Sequence, residues 1–180
     1  MAVNAAEVER AIVAILGGTE TSAEDRTRYT QAIEELKEGD GTVLAQLAVQ
    51  LLGSQNPLVV HNAFNFLQHV IKFKWNSLPV PTRVQLRDEL LRRIAIGPPP
   101  QPPALGSPSS SAAAHWAEPL ARCVAAMAEQ EWPQNWREMG EQLTGMAINA
   151  ATPSSSVAVL CAMRRIQEDV VVYGDFSLCG

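Results

Sequence analysis

The sequence predicts an all-α protein in which helices stack side by side. Apolar residues recur at spacings of three and four along most of the 180 residues, and no run alternates as a β-strand would. Capping residues, glycines and prolines divide the chain into about eight helical segments. Helix pairs recur roughly every 40 to 45 residues, which is typical of an α-α superhelix, a solenoid of the HEAT or armadillo kind. A compact helical bundle is the alternative architecture.

The composition indicates a foldable chain without an overall attraction for nucleic acid. Hydrophobic residues make up 47% and charged residues 18% of the chain, so it can bury a core. The net charge of -5 gives no global attraction to phosphate, although it leaves room for local basic patches. No apolar run approaches the roughly 18 residues needed to cross a bilayer, and the start MAVNAAEVER does not resemble a signal peptide. We therefore expect a soluble intracellular protein with no membrane partner.

Two helices are predicted before residue 40. The first covers Ala5–Leu16 and has Asn4 as its N-cap. The second is opened by Ser22 with Asp25 three residues later, a pattern similar to a capping box, and it reaches about Lys37. Its apolar stripe is narrow, which predicts a helix that buries little of its surface.

The next two predicted helices are more deeply buried. In the segment 42–52 only Thr42, Gln46 and Gln50 interrupt the apolar residues, so this helix is expected to be almost wholly buried. The segment 57–76 has an apolar arc of roughly 200°, wider than a helix at the edge of a globule needs, so neighbours should flank it on two sides. The arc contains Val59, Val60, Ala63, Phe64, Phe66, Leu67, Val70, Ile71 and Phe73.

Four further helices are predicted around a proline-rich loop. One covers Thr82–Ile96, and the others begin near Ala112, Gln134 and Ser156. Gly97–Ser111 is expected to be a mobile loop of polyproline character, and its PPPQPP tract is either an SH3 or WW ligand or, as we favour, a tolerated insertion. The inward residues are predicted to be Val84, Leu90, Leu91, Ile94; Trp116, Leu120, Cys123, Val124, Met127; Trp136, Met139, Leu143, Met146; and Val159, Leu160, Met163, Ile166, Val170, Tyr173.

No pattern for catalysis or metal binding stands out. His61 and His69 lie eight residues apart on the polar side of one helix, without a third ligand at a matching spacing. Cys123, Cys161 and Cys179 form no CxxC pair, so free thiols are expected. GxSxG, GxGxxG and P-loop motifs do not occur. We therefore expect no enzyme, no catalytic residue, no cofactor and no metal site.

Basic and aromatic residues alternate from Lys72 to Trp75, in the sequence KFKW. Such interleaving occurs where proteins stack on bases and contact phosphates. On the helical wheel, however, Phe73 lies in the apolar arc and only Lys72 clearly faces water. Core packing of Phe73 with a snorkelling Lys72 is therefore the favoured interpretation.

Three segments resemble exportins of the importin-β superfamily. HNAFNFLQHVIKFKWNSLP, residues 61–79, is similar to the xxLQxLxxVIKxxWxxL signature of their second repeat. EQEWPQNWREM, residues 129–139, resembles their EWPxxWPxx element, with Arg137 in place of the second proline. RRIQEDVVVY, residues 164–173, resembles the RLAEDVVxF segment of the exportin-five branch. The core residues of these motifs are expected to be Phe64, Leu67, Val70, Ile71, Trp75, Trp132, Pro133 and Trp136.

The resemblance implies the amino-terminal region of a nuclear transport receptor that shuttles between nucleus and cytoplasm. Such a receptor binds the small GTPase Ran in its GTP form, contacts nuclear pore proteins, and carries protein or small double-stranded RNA of the microRNA-precursor type. The alternative is a HEAT-repeat scaffold unrelated to Ran. The implied divisions are an N-terminal helix and turn (1–21), repeats one and two (22–96), the Pro/Ser-rich loop (97–111), the third repeat (112–150), and the first helix of the fourth repeat with a tail (151–180).

The resemblance also implies where Ran binds. In this family the second helix of each repeat lines the concave side, and those helices here are 42–52, 82–96 and 134–148. Their outward polar residues are the candidates, and the acidic ones are favoured if the partner surface is basic. These candidates are Gln46, Gln50, Gln85, Glu89, Arg92, Glu138 and Glu141.

Overall fold

The computed structural model describes residues 4–16, 22–97 and 109–172, with side chains described for 4–16, 22–97 and 116–170. Within these ranges every regular element is a helix or a helical turn, so the predicted all-α, HEAT-type class is confirmed. The chain divides into two compact units, Met1–Arg83 and Val84–Gly180.

The first unit contains four α-helices followed by two turns of different pitch. Capping side chains begin all four α-helices, with Asn4 and Ser22 as the sequence predicts and two further caps that it did not predict. At α3, for example, the Asp40 carboxylate accepts hydrogen bonds from the backbone N–H groups of Thr42 (2.7 Å) and Val43 (3.1 Å). The N–H of Val43, followed by that of Thr42, holds the pKa of Asp40 below its ordinary value. The elements are α1 (Ala5–Leu16), α2 (Ala23–Glu38), α3 (Gly41–Leu51), α4 (Pro57–His69), a π-helical turn (Val70–Lys74) and a 3₁₀ turn (Trp75–Ser77); Asn4, Ser22, Asp40 and Asn56 cap the four α-helices.

The core of the first unit surrounds α4, which packs against both α1 and α3. Phe64 and Phe66 are at most 2% exposed, and Ile12 from α1 and Leu44 from α3 are buried against the same core. Burying one such side chain contributes about 1.5–3 kcal/mol. The predicted burial of α4 on two sides is therefore confirmed. By contrast α2 has no buried residue, in keeping with its narrow stripe.

Phe73 is the exception in the predicted apolar arc, because 73% of its surface is exposed. The arc assumed α-helical pitch, but the chain changes to a π-helical turn at Val70. A π turn bonds i to i+5 and so inserts an extra residue into the repeat. The next fully buried aromatic side chain is consequently Trp75, at 2% exposure, and Phe73 projects into solvent. The prediction that Phe73 belongs to the core was wrong.

In the second unit three helices begin at other residues than predicted. Helix α8 begins at Pro153 and not near Ser156, because the side chain of Thr152 caps it. Helix α6 begins at Ser109, three residues before the predicted start at Ala112. Residues 98–108 lie outside the described ranges, so the character of the loop stays a prediction. Helix α7 begins at Met139 and not near Gln134, because the N–H groups of Asn135 and Trp136 both donate to the carbonyl of Glu131 in a turn. The elements are α5 (Val80–Ile96, beginning in the first unit), α6 (Ser109–Glu131), α7 (Met139–Ile148), α8 (Pro153–Ile166) and a π-helical turn (Gln167–Val172).

Two residues predicted to face inward from α5 and α8 are exposed. In α5 the buried line runs through Leu86, Leu90 and Ile94, four residues apart, so Val84 lies on the opposite side and is 38% exposed. In α8 the buried line includes Ala158, Ala162 and Ile166, and Leu160 therefore points away, with 58% exposure. Val43 in α3 is likewise 45% exposed, so that helix is less buried than expected. The predicted inward residues of α6, and Trp136, Met139, Leu143, Val159 and Ile166, are buried; Leu91, Met146, Met163 and Val170 are half-buried, and Tyr173 lies outside the described residues.

Helices α6 and α8 form the most extensive packing in the described chain, and an ion-pair cluster borders it. The carboxylate of Glu118 on α6 accepts hydrogen bonds from Arg165 on α8, with the shorter at 2.6 Å. Arg122 and Arg164 each lie 3.5 Å from the same carboxylate. Burial alone would raise the pKa of Glu118, but the hydrogen bonds from Arg165 and the charges of the three arginines together outweigh it and lower the pKa.

Glu118→Gln is expected to lower the free energy of unfolding by about 1 kcal/mol, because the amide loses the charge-assisted hydrogen bonds to Arg165. A lowered pKa means that this contribution is complete above the ordinary carboxyl pKa of 4.5 and is lost as the pH falls through the folded-state pKa. Urea unfolding at pH 7 and pH 3, followed by circular dichroism, measures both effects. Glu141→Gln, at an exposed site of the same unit, is the control. Equal stability of wild type and Glu118→Gln at pH 7 would contradict the assignment.

Candidate partner-binding surfaces

The seven expected Ran-binding residues lie on three helices in two units. Gln46 and Gln50 are exposed one turn apart on α3, in the first unit. Gln85 and Arg92 are exposed on α5. Glu138 and Glu141 are exposed at the start of α7, and neither makes a side-chain hydrogen bond or ion pair with another described residue. Six of the seven side chains therefore reach solvent.

Glu89 differs from the other six because its carboxylate already pairs with two arginines of α5. Its carboxylate accepts two hydrogen bonds from Arg92, at 2.7 and 2.6 Å, and one from Arg93 at 2.8 Å. The side chain is only 18% exposed. Hydrogen bonds from Arg92, and then those from Arg93, hold the pKa of Glu89 below its ordinary value. Glu89 and Arg92 thus form part of an internal pair and offer less free charge to a partner than the sequence suggests.

The motif residues that suggested a family are mostly buried. Trp136 is 1% exposed, its indole N–H donates to the side-chain oxygen of Gln142 at 2.8 Å, and the guanidinium of Arg87 lies 5.9 Å from its ring centroid. Trp132, 41% exposed, and Pro133 depart from the expected core, because they lie in the turn between α6 and α7 and outside both helices. The buried motif residues are Phe64, Leu67, Val70, Ile71, Trp75 and Trp136.

The π-helical turn is held against the connection between α2 and α3. The amine of Lys74 donates a hydrogen bond of 2.5 Å to the carbonyl of Gly39, which satisfies an acceptor at the end of α2. A Cβ atom at Gly41 would lie 3.1 Å from Cβ of Lys74 and 3.3 Å from Cδ2 of Leu78, closer than most Cβ contacts. Glycine at position 41 therefore permits the close approach of α3 to this turn.

One surface that sequence reasoning missed lies on the outer side of the same turn. We call it the π-turn surface and define it as His69, Lys72 and Phe73. The ring centroids of His69 and Phe73 are 5.0 Å apart with the planes tilted by 51°, and Lys72 is exposed beside them. The alternation KFKW is its signal in the sequence, but a helical wheel of regular pitch places Phe73 inside and hides it.

A second feature of the first unit is an open groove of about 810 Å³ between α1, α2 and α3. Its floor is apolar and includes Val8, Ile33 and Leu36. Its lining also carries charges of both signs, among them Glu7 and Arg28. Because these charges oppose one another, the groove selects no particular class of partner by electrostatics.

The described residues contain no group of three or more His, Cys, Asp and Glu side chains placed to hold a metal ion. In the same ranges no helix has both the length and the apolar character that crossing a bilayer requires.

Comparison with curated proteins identifies relatives along most of the chain. Protein HASTY 1 of Arabidopsis thaliana is 29% identical over 180 aligned residues, which cover 95% of this chain and 13% of the relative. Human and mouse Exportin-5 are 29% and 30% identical over 120 residues, covering 67% of this chain and 9% of each relative. The chain is homologous to importin-β superfamily exportins. The resemblance carried by the three sequence motifs is thereby confirmed.

The aligned region is a small part of each relative. The chain spans between 9% and 13% of the length of the exportins it matches. No family model matches the chain. The activity and partners of a whole exportin are therefore proposals for this chain.

Proposed function

We propose that this chain is a segment of a nuclear export receptor that binds RanGTP and contributes to the transport of small structured RNA or protein cargo. The observation that carries the proposal is its similarity to exportins, which extends over 95% of the chain in the plant relative. The HEAT-type helices support it, because stacked helices present rows of exposed side chains to large partners. On this proposal the receptor shuttles between nucleus and cytoplasm and contacts nuclear pore proteins.

The proposed mechanism is binding and not catalysis. Ran in its GTP form and the cargo bind the receptor together, so each raises the affinity for the other by the same factor. Hydrolysis of GTP on Ran removes that coupling and releases both partners. The chain itself supplies binding surfaces. Five of the candidate residues are exposed and take no part in the ion pair of Glu89 with Arg92: Gln46, Gln50, Gln85, Glu138 and Glu141.

The nucleotide on Ran separates this proposal from a HEAT scaffold unrelated to Ran. Purified chain is immobilised and titrated with Ran loaded with a non-hydrolysable GTP analogue or with GDP. We expect at least about tenfold tighter binding of the GTP form, equivalent to about 1.4 kcal/mol. Equal binding of the two forms, or binding of neither, would favour the scaffold.

The double variant Glu138→Lys with Glu141→Lys is expected to weaken RanGTP binding at least about tenfold, because it reverses two charges on a surface proposed to meet a basic partner. Both side chains are exposed and outside any described ion pair, so helicity should be unchanged. The matched control, Glu24→Lys with Glu38→Lys, makes the same charge change on α2. Equal loss in both variants would indicate a general charge effect, and unaltered affinity would place the Ran surface elsewhere.

The isolated chain is expected to bind blunt-ended duplex RNA weakly, because its net charge is -5. Fluorescence anisotropy with a labelled RNA duplex of about 20 base pairs, at low and at near-physiological salt, checks this. Tight binding that resists the higher salt concentration would contradict it.

A further inference from the structure

The π-helical turn exposes an aromatic ring that an α-helix would bury. Val70 and Ile71 are fully buried, and the next buried side chain is that of Trp75. Between them Phe73 is 73% exposed, the most exposed aromatic side chain of the described residues. Leaving a phenylalanine ring in water forgoes its burial energy, and π turns within helices occur frequently at functional sites. The exposed ring is therefore a candidate contact for a partner.

The surroundings of Phe73 are polar and cationic. His69 contacts its ring from one turn earlier, and the exposed Asn76 follows three residues later. Lys72 is exposed and makes no hydrogen bond or ion pair with any residue that the structure describes. The amine of Lys74, in contrast, is held by the carbonyl of Gly39. The surface thus offers one aromatic face and one available ammonium group.

The local charge favours an anionic ligand although the whole chain is acidic. From Gly41 to Arg83 the sequence contains no Asp or Glu, while it contains Lys72, Lys74 and Arg83. All 19 acidic residues of the chain lie outside this stretch. An anion approaching Phe73 therefore meets no carboxylate from within α3, α4 or the π turn. The carboxylate of Asp40, which interacts with Lys74, is held by the N–H groups at the start of α3.

We propose that the π-turn surface binds an unpaired nucleotide of RNA, with the base stacked on the Phe73 ring and a neighbouring phosphate contacted by Lys72. Proteins bind single strands by combining aromatic rings for the bases with cations for the backbone. The inference rests on the proposed RNA cargo, but it adds a contact to single-stranded RNA that duplex binding does not supply.

A nucleotide fits this surface better than a protein partner does. Protein interfaces place their apolar anchors within a larger patch of buried contacts. Here the ring contact of Phe73 is His69, and the exposed residues next to it along the turn, Lys72 and Asn76, are polar. An acidic peptide would use Lys72 but would leave the aromatic face without a specific partner. Stacking of a base uses both groups at once.

The test compares two single strands of equal charge. Labelled decauridine and a ten-unit abasic ribose-phosphate chain are titrated by anisotropy into the full 180-residue protein at low salt. We expect decauridine to bind at least about fivefold tighter, because only it can stack. Phe73→Ala should abolish this preference, whereas Lys72→Ala should weaken both ligands and reduce the salt dependence by about one ion.

Ile148→Ala is the matched control, because Ile148 is an apolar residue of similar exposure, 77%, on α7. It should retain the preference for decauridine, and circular dichroism should show all variants to be folded. The proposal is overturned if wild type binds neither strand or both equally, if Phe73→Ala keeps the preference, or if Ile148→Ala loses it. Tighter binding of decaglutamate than of decauridine would assign the surface to an acidic peptide. None of these outcomes depends on Ran, so the nucleotide preference of Ran binding is tested separately.

Discussion

The change of helical pitch at Val70–Lys74 is the constraint on which the first unit depends. Before this turn α4 follows a 3.6-residue repeat and buries its apolar arc between α1 and α3. After the wider turn the next buried side chain is that of Trp75. The same turn lets the amine of Lys74 donate a hydrogen bond to the carbonyl of Gly39 at the end of α2. The same turn projects Phe73 outward. One local change of geometry therefore fixes both the closure of the core and the composition of the exposed surface.

Some charged side chains of this protein are paired with one another between or within helices, whereas others are exposed to solvent without such a partner in the described part of the chain. In the second unit Glu118 and Glu89 are each held by arginines, and both pKa values are lowered by those arginines. Such partly buried carboxylates join or stiffen helices and have little charge left for a partner. The exposed glutamates at the start of α7 and the exposed Lys72 have no such partners among the described residues. An anionic and a cationic ligand would accordingly be recognised by different parts of the chain.

Sequence reasoning predicted the features that depend on local chemistry. Caps such as Asn4 and Ser22 act within three residues, and the arc of α4 follows from regular pitch, so both could be predicted directly. The family could also be recognised, because its motifs, including the one that contains Trp75, are contiguous in sequence. The seven candidate Ran residues remain a prediction, since exposure alone does not identify a contact.

The features that sequence reasoning missed depend on departures from regular pitch or on tertiary packing. A wheel with about 100° per residue places Phe73 inside and cannot represent a π turn. The turn after Glu131 exposes Trp132, whereas the family motif suggested a core residue. For α5 the choice between faces containing Val84 or Leu86 was set by packing within the folded unit. The ion pairs of Glu89, by contrast, could have been predicted from the sequence, because Arg92 and Arg93 follow it by three and four residues.

The most direct test of this account is the accessibility of positions 66 and 73, which lie seven residues apart and would share one face of an unbroken α-helix. Phe73→Cys and Phe66→Cys are each exposed to a thiol-alkylating reagent, and mass spectrometry of the corresponding peptides gives the labelling rate at each site. We predict that Cys at position 73 reacts at nearly the rate of a free peptide thiol, while Cys at position 66 reacts orders of magnitude more slowly, because Phe66 is 1% and Phe73 is 73% exposed. Comparable protection at both positions would show that α4 continues without a π turn, and would contradict the account.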